Sequence, residues 1–229
     1  MCLMSTSGRE PRSAALLLCY ITDRKQFAGD DHARQRHLLA KVRECAAAGV
    51  DFIQLREKDL SPRELEELAG QAVAAIPAGS PAQLLVNSRT DVALASGAHG
   101  VHLPAHDISA SEARVICDRA GKPPAVIGVS VHSVQEVAMA EADGADFGVL
   151  GPVFEKDGRS NPQGLDFLCQ SCRRLQHADP PMPLLAVGRV TLANAQSCLD
   201  AGAAGIAGIR LFQENDVAEV VEQLRALRR

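Results

Sequence analysis

Eight short apolar runs that alternate strictly with eight helical patterns predict an α/β fold, a single (β/α)8 TIM barrel, for this chain of 229 residues. Two further observations support it. A turn recurs at Gly97-Ala98-His99-Gly100, Gly144-Ala145-Asp146-Phe147 and Gly202-Ala203-Ala204-Gly205, as repeated helix-to-strand connections would. No linker or compositional shift divides the chain, whose length suits one such barrel. The same alternation also fits a doubly wound open sheet, the competing architecture. Residues 1–13 are expected to be a disordered N-terminal tail, and residues 14–229 one barrel domain.

The elements follow from local chemistry. Leu17 to Thr22 reads as the first strand, and His32 to Ala48 as the first helix, stopped by Gly49. Asp51 to Arg56 is the second strand. Its helix opens at Ser61-Pro62-Arg63-Glu64, where Ser61 can cap and Pro62 occupies the first helical position. Strands are then expected at Gln83 to Asn87, His99 to Leu103, Ala125 to Val129 and Asp146 to Leu150. The helices between them run from Thr90 to Ser96, Ser109 to Arg119 and Ser133 to Asp143. The longest loop spans Gly151 to Gly164, before a helix ending at Gln176. Leu184 to Val187 and Ala204 to Gly208 complete the strands, with helices at Thr191 to Ala201 and Asp216 to Leu227.

Composition excludes several functions. A net charge of −4 speaks against a general nucleic-acid or membrane-surface binder, and one Tyr with no Trp removes the stacking platforms that single strands need. Leu16-Leu17-Leu18 is too short for a signal peptide and continues as a strand. Seven scattered Cys read as small buried hydrophobes in a reduced, cytoplasmic compartment. Cys169-x-x-Cys172 has redox spacing but no second pair, and is read as structural.

A barrel gathers its chemistry at the C-terminal strand ends. Gln54, Arg56 and, with continued extension, Lys58 share one face of the second strand, so an amide and two cations aim the same way. Their partner is a phosphate, or else Glu57 or Asp59 in a structural ion pair. Asn87 and Ser88 end the third strand, and Ser130-Val131-His132 ends the fifth. Gly188 and Gly208 allow backbone N–H groups to approach a phosphate, with Arg189 and Arg210 either adding contacts or standing as solvated charges. His102, His106 and Asp107 have a spacing for a transition metal that Pro104 interrupts; Asp107 is better suited to magnesium.

These residues resemble the superfamily of thiamine phosphate synthase and thiazole tautomerase. The resemblance runs from Tyr20-Ile21-Thr22-Asp23 to Gly205 and rests on several motifs. They are Gln54-Leu55-Arg56-Glu57-Lys58, Val86-Asn87 with Asp91-Val92-Ala93-Leu94-Ala95, and Gly100-Val101-His102-Leu103. Gly128-Val129-Ser130-Val131-His132-Ser133 and Gly151-Pro152-Val153-Phe154 complete the set. The likeness to the synthase implies a transferase. A hydroxymethylpyrimidine diphosphate would lose pyrophosphate with Mg2+, and the nitrogen of a thiazole phosphate would capture the pyrimidine cation. Gln54, Arg56, Lys58 and Asn87 match positions holding the pyrimidine diphosphate; Asp107 matches a magnesium ligand, and Ser130 a residue near the departing pyrophosphate.

The chain departs from the family pattern in four places. Ser88 replaces a second carboxylate, which weakens the metal site, and Lys156-Asp157-Gly158-Arg159 replaces Thr-x-Thr-Lys, leaving Arg159 as a cation but no threonines. Arg189 replaces a glycine and Arg210 a serine. The alternatives are a thiazole tautomerase with His132 as acid/base, or a non-catalytic barrel that binds a phosphate ligand. No organic cofactor is expected. The expected partners are small phosphorylated substrates, not nucleic acid or membrane, with a homodimer as an allowed assembly.

Overall fold

The computed structural model describes residues 16–121, 125–154, 164–175 and 180–227. Eight parallel strands close into a barrel in sequence order: β1 (Leu17–Ile21), β2 (Phe52–Leu55), β3 (Gln83–Asn87), β4 (Gly100–Leu103), β5 (Val126–Val131), β6 (Phe147–Leu150), β7 (Leu184–Ala186) and β8 (Gly205–Gly208). The pairing of β1 with β8, from Leu17 opposite Gly205 to Tyr20 opposite Gly208, is what rules out the open sheet. The proposed tail, residues 1–13, and Arg159 of the long loop lie outside the described residues.

Helices α1 (Asp31–Ala47), α2 (Pro62–Ala75), α3 (Thr90–Ser96), α4 (Ala110–Arg119), α5 (Val134–Ala142), α6 (Gly164–Leu175), α7 (Ala195–Asp200), α8 (Arg210–Gln213) and α9 (Val217–Ala226) follow the strands. Their starts obey simple capping chemistry. Ser61 and Ser109 each form a capping box with the Glu three residues on, satisfying backbone donors that the first helical turn leaves open. A Ser61→Ala change at such a cap costs about 1 kcal/mol.

Strand alternation builds two apolar layers. Leu18, Tyr20, Ile53, Leu55, Leu84 and Val86 point outward into the layer packed against the helices. Cys19, Ile21, Leu85, Phe147, Val149, Leu185 and Ala207 fill the barrel interior, where Phe52 and Phe147 stack at a centroid distance of 4.5 Å. The lumen is therefore a packed core, and open space begins only at the strand ends.

The structure differs from expectation at a few boundaries. β5 runs on through Ser130 and Val131, so Ser130 is held by the ladder rather than by a loop. α7 begins later than Thr191, because the Asn194 side chain accepts from the Thr191 N–H at 2.7 Å and closes a turn first. α8 and a short 3-10 turn at Arg24–Gln26 occupy stretches that read as loop.

Candidate functional site

The inward parity of each strand decides what reaches the mouth. Phe52 lies in the lumen, so Gln54 and Arg56 follow on the same face; Leu85 brings Asn87; His102 packs at 6.0 Å from Phe147; Gly128 brings Ser130. Gln54 is buried, and its amide donates to Asn87 Oδ1 at 2.9 Å, so each fixes the other. Asn87 pairs in register with His102, and His102 with Gly128. A Cβ on Gly128 would stand 2.5 Å from Phe147 Cζ and 2.8 Å from His102 Nδ1; the strand needs glycine there for the imidazole to fit.

His102 was weighed above as a transition-metal ligand and set aside in favour of Asp107 for magnesium. His102 is buried, its Nε2 lies 2.9 Å from Ser130 Oγ, and its Nδ1 has no partner among the described residues. Burial, and then the charge of Arg56, lower its pKa to about 3. It is a neutral ring that orients the Ser130 hydroxyl. His106 is exposed, and no three His, Cys, Asp or Glu groups converge among the described residues.

β2 ends at Leu55, so strand alternation does not carry Lys58 to the mouth as expected. Lys58 stands exposed in the turn that follows, where it lines a cavity of about 320 Å³ with Glu57, Leu60, Leu65, Asn87, Ser88 and Pro104. Among the described residues neither Arg56 nor Lys58 has an ion-pair partner, and the reason lies in their neighbours. Glu57 and Asp59, the candidates for a structural ion pair, are both bonded to Arg24, and Lys25 also pairs with Asp59 at 3.2 Å. The Arg24 guanidinium donates to Asp59 Oδ1 at 2.6 Å and Oδ2 at 2.8 Å, and to Glu57 Oε2 at 3.1 Å. Hydrogen bonds from Arg24 hold the Asp59 carboxyl well below the usual range. Burial pushes Glu57 up, with the Thr22 hydroxyl and Arg24 pulling against it.

Asp107 stands in the turn after β4, its Oδ1 accepting from the Ile108 N–H at 2.8 Å and its Oδ2 from the Ser88 hydroxyl. Ser88 has φ 67°, a left-handed conformation uncommon outside glycine, which places its side chain there. Magnesium typically takes one or two protein carboxylates and completes its shell with water and phosphate oxygens. Asp107 beside Ser88 fits a metal that arrives with its phosphate ligand, not a preformed cage. Asp107 and Ser130 also line one cavity of about 230 Å³.

Around the rim, Gly188, Arg189, Gly208 and Arg210 line a cavity of about 210 Å³. Gly188 is required by the fold itself: at φ 102°, a Cβ would be 2.6 Å from Pro152 Cα. Arg210 is exposed, and its Nε lies 3.5 Å from Glu214. His132 is likewise at the rim, where its Nδ1 hydrogen donates to the Gly151 carbonyl at 2.7 Å. That bond directs Nε2 away as the ring's acceptor.

The reading of strand ends above passed over the first strand, and so missed Thr22 and Arg24. The signal was available, since Thr22-Asp23-Arg24 directly follows β1. Gln213, which accepts from the Tyr20 hydroxyl at 3.0 Å and donates to the Asp23 carbonyl at 2.8 Å, left no such mark.

A closed parallel barrel in which, among the described residues, Arg56 and Lys58 have no ion-pair partner and Asp107 stands at a neighbouring strand end has the features of barrels that handle phosphorylated small molecules. Comparison with known proteins narrows this. The thiamine monophosphate synthase family model matches residues 18–212, and the chain belongs to that family. It is 40% identical over 214 residues to the putative thiamine-phosphate synthase of Geobacter sulfurreducens, covering 92% of this chain and 93% of that one. It is 40% identical over 188 residues to the thiamine-phosphate synthase of Methanoculleus marisnigri, covering 80% and 84%. The solved thiamine phosphate pyrophosphorylase from Pyrococcus furiosus superposes with a TM-score of 0.73 at 32% identity, covering 92% and 94%.

Proposed function

We propose that this chain is a thiamine-phosphate synthase, joining a hydroxymethylpyrimidine diphosphate to a thiazole phosphate with release of pyrophosphate. Residues 14–229 form its catalytic domain in this reading. The observation that carries it is the pair of unpaired cations, Arg56 and Lys58, at a mouth whose nearest acids are held by Arg24. An ionising diphosphate needs its leaving charge neutralised more than it needs a base, and the half-buried Arg56 with the exposed Lys58 beside it supplies positive charge for that.

Arg56 and Lys58 bind the diphosphate oxygens. Asn87, held by Gln54, orients the pyrimidine end. Ser130, its hydroxyl turned by neutral His102, donates toward the departing pyrophosphate. Asp107, with Ser88, would hold magnesium, which when bound with the diphosphate offsets part of its negative charge. Gly188 and Gly208 offer backbone donors to the thiazole phosphate, with Arg189, Arg210 and Arg159 supplying positive charge around it. The partners are therefore small phosphorylated molecules. No helix among the described residues is long and apolar enough to cross a membrane.

The test is formation of thiamine phosphate from both precursors with Mg2+, followed by chelation. Turnover should stop with chelator, and Asp107→Ala should raise the Mg2+ needed by about tenfold. A wild-type enzyme indifferent to chelator removes Asp107 from the metal role. The oriented ring of His132 favours one further reading, a thiazole tautomerase with Nε2 moving the proton. Isomerisation of the carboxythiazole phosphate, abolished by His132→Ala, with no condensation of the two precursors, would establish that reading instead.

A further inference from the structure

We propose that Arg24 is a positioning residue that keeps the two cations of the β2 loop available to a diphosphate by occupying the acids interleaved with them. The loop reads Arg56-Glu57-Lys58-Asp59, alternating in sign, and left alone such a segment pairs internally. Arg24 prevents it. The Arg24 backbone N–H donates to both Glu57 oxygens at 3.1 and 3.2 Å, while its guanidinium reaches Glu57 and grips Asp59 with both terminal nitrogens. A planar fork on a carboxylate is a pairing that Lys58 cannot match as a point charge.

The grip also sets the direction of the loop. Thr22 Oγ1 donates to Glu57 Oε1 at 2.6 Å and accepts from the Arg56 N–H at 2.9 Å, so the acid and the backbone of the adjacent cation hang on one hydroxyl. These bonds tie Glu57 to the β1 loop, and Arg56, one residue past β2, lies near enough to His102 for its charge to be felt there. The β1 loop is itself anchored from α8, through the bonds of Gln213 to Tyr20 and Asp23. Arg24 is buried in this lattice and is not among the residues lining the cavity beside Lys58, so it acts through Arg56 and Lys58.

The inference rests on the synthase reading, which supplies the diphosphate. It is tested on the full chain, by calorimetric binding of inorganic pyrophosphate with Mg2+ and by steady-state kinetics with both precursors. Arg24→Met removes the guanidinium from both acids, leaving Glu57 with Thr22 and the backbone N–H and Asp59 with Lys25, and should weaken pyrophosphate and raise the KM for the pyrimidine diphosphate by about tenfold, leaving the KM for the thiazole phosphate within about twofold. Arg24→Met/Glu57→Gln/Asp59→Asn removes the competing acids as well and should restore pyrophosphate binding to within about threefold. A merely structural role predicts no such rescue. Should the single variant not fold, Arg24→Lys against Arg24→Lys/Asp59→Asn carries the same comparison, with the added neutralisation recovering affinity. Wild-type turnover with a folded Arg24→Met that binds pyrophosphate normally overturns the proposal alone, as does a neutralised variant that recovers nothing. A wild type that neither binds pyrophosphate nor condenses the precursors overturns the synthase reading together with it.

Discussion

The two ends of the mouth hold positive charge in opposite ways. On the β2 to β5 side, the polar groups stand on strands or next to them and, apart from the exposed Lys58 and Asp59, are half or fully buried and hold one another: Gln54 with Asn87, His102 with Ser130, Arg24 with Glu57. On the β7 to β8 side, Arg189 and Arg210 are exposed on loop ends, and Arg210 already has Glu214 as a neighbour. The difference teaches that the worth of a cation depends on where the nearest carboxylates go. Arg56 is poised for a ligand because its neighbours are occupied, whereas Arg210 carries its own counter-charge with it.

The comparison breaks or holds most visibly at Arg56. Arg56→Ala should lower kcat/KM for the pyrimidine diphosphate by about 10²- to 10³-fold, the usual loss when a fixed charge facing a leaving group is deleted. Unchanged steady-state kinetics would remove that side's claim to the diphosphate. The buried side should also announce itself in acid. The unfolded chain takes up a proton at His102 below about pH 6.5, while the folded chain resists it down to about 3. Folded stability therefore rises with pH through that window and is lost on acidification. His102→Gln should make the drop in unfolding free energy between about pH 7 and pH 4.5 smaller by about 2–3 kcal/mol, read by urea denaturation. An identical drop in both proteins would show that the ring is protonated in the fold.

A methyl group sharpens the same point. Gly128→Ala should cost about 1–3 kcal/mol in a thermal melt by crowding Phe147 and the imidazole, and should slow turnover beyond its effect on folding. The exposed side should respond least. Glu214→Ala should change stability by less than about 0.5 kcal/mol, and Arg210→Ala should raise the KM for the thiazole phosphate only a few-fold. If Glu214→Ala instead lowers that KM strongly, Arg210 belongs with Arg56 as a gated cation, and the contrast between the two sides dissolves.

Much of this molecule could be read from sequence because period and punctuation carry the fold. The eight strands fall within two residues of their expected bounds, since β-branched runs closed by Gly-Ala turns leave little freedom. Gln54, Asn87 and Ser130 could be placed because a strand fixes parity. Lys58 could not, since β2 stops at Leu55 and a turn sets its direction. The fates of Glu57 and Asp59 were equally hidden: which base takes an acid is a long-range fact, and Arg24 lies 33 residues from Glu57. The spacing His-x-x-x-His-Asp raised a metal role for His102 that Pro104 argued against, while its burial against Gly128 and Phe147 depends on two other strands and could not be read locally.

The stacked Phe52 and Phe147 have a consequence for traffic. With aromatic rings and aliphatic side chains filling the barrel below the mouth, the described residues leave no passage through its floor. Arrival and departure share one opening. Whichever molecule sits deeper must load first and leave last, so the kinetic order of the two substrates is written into the depth of the cup.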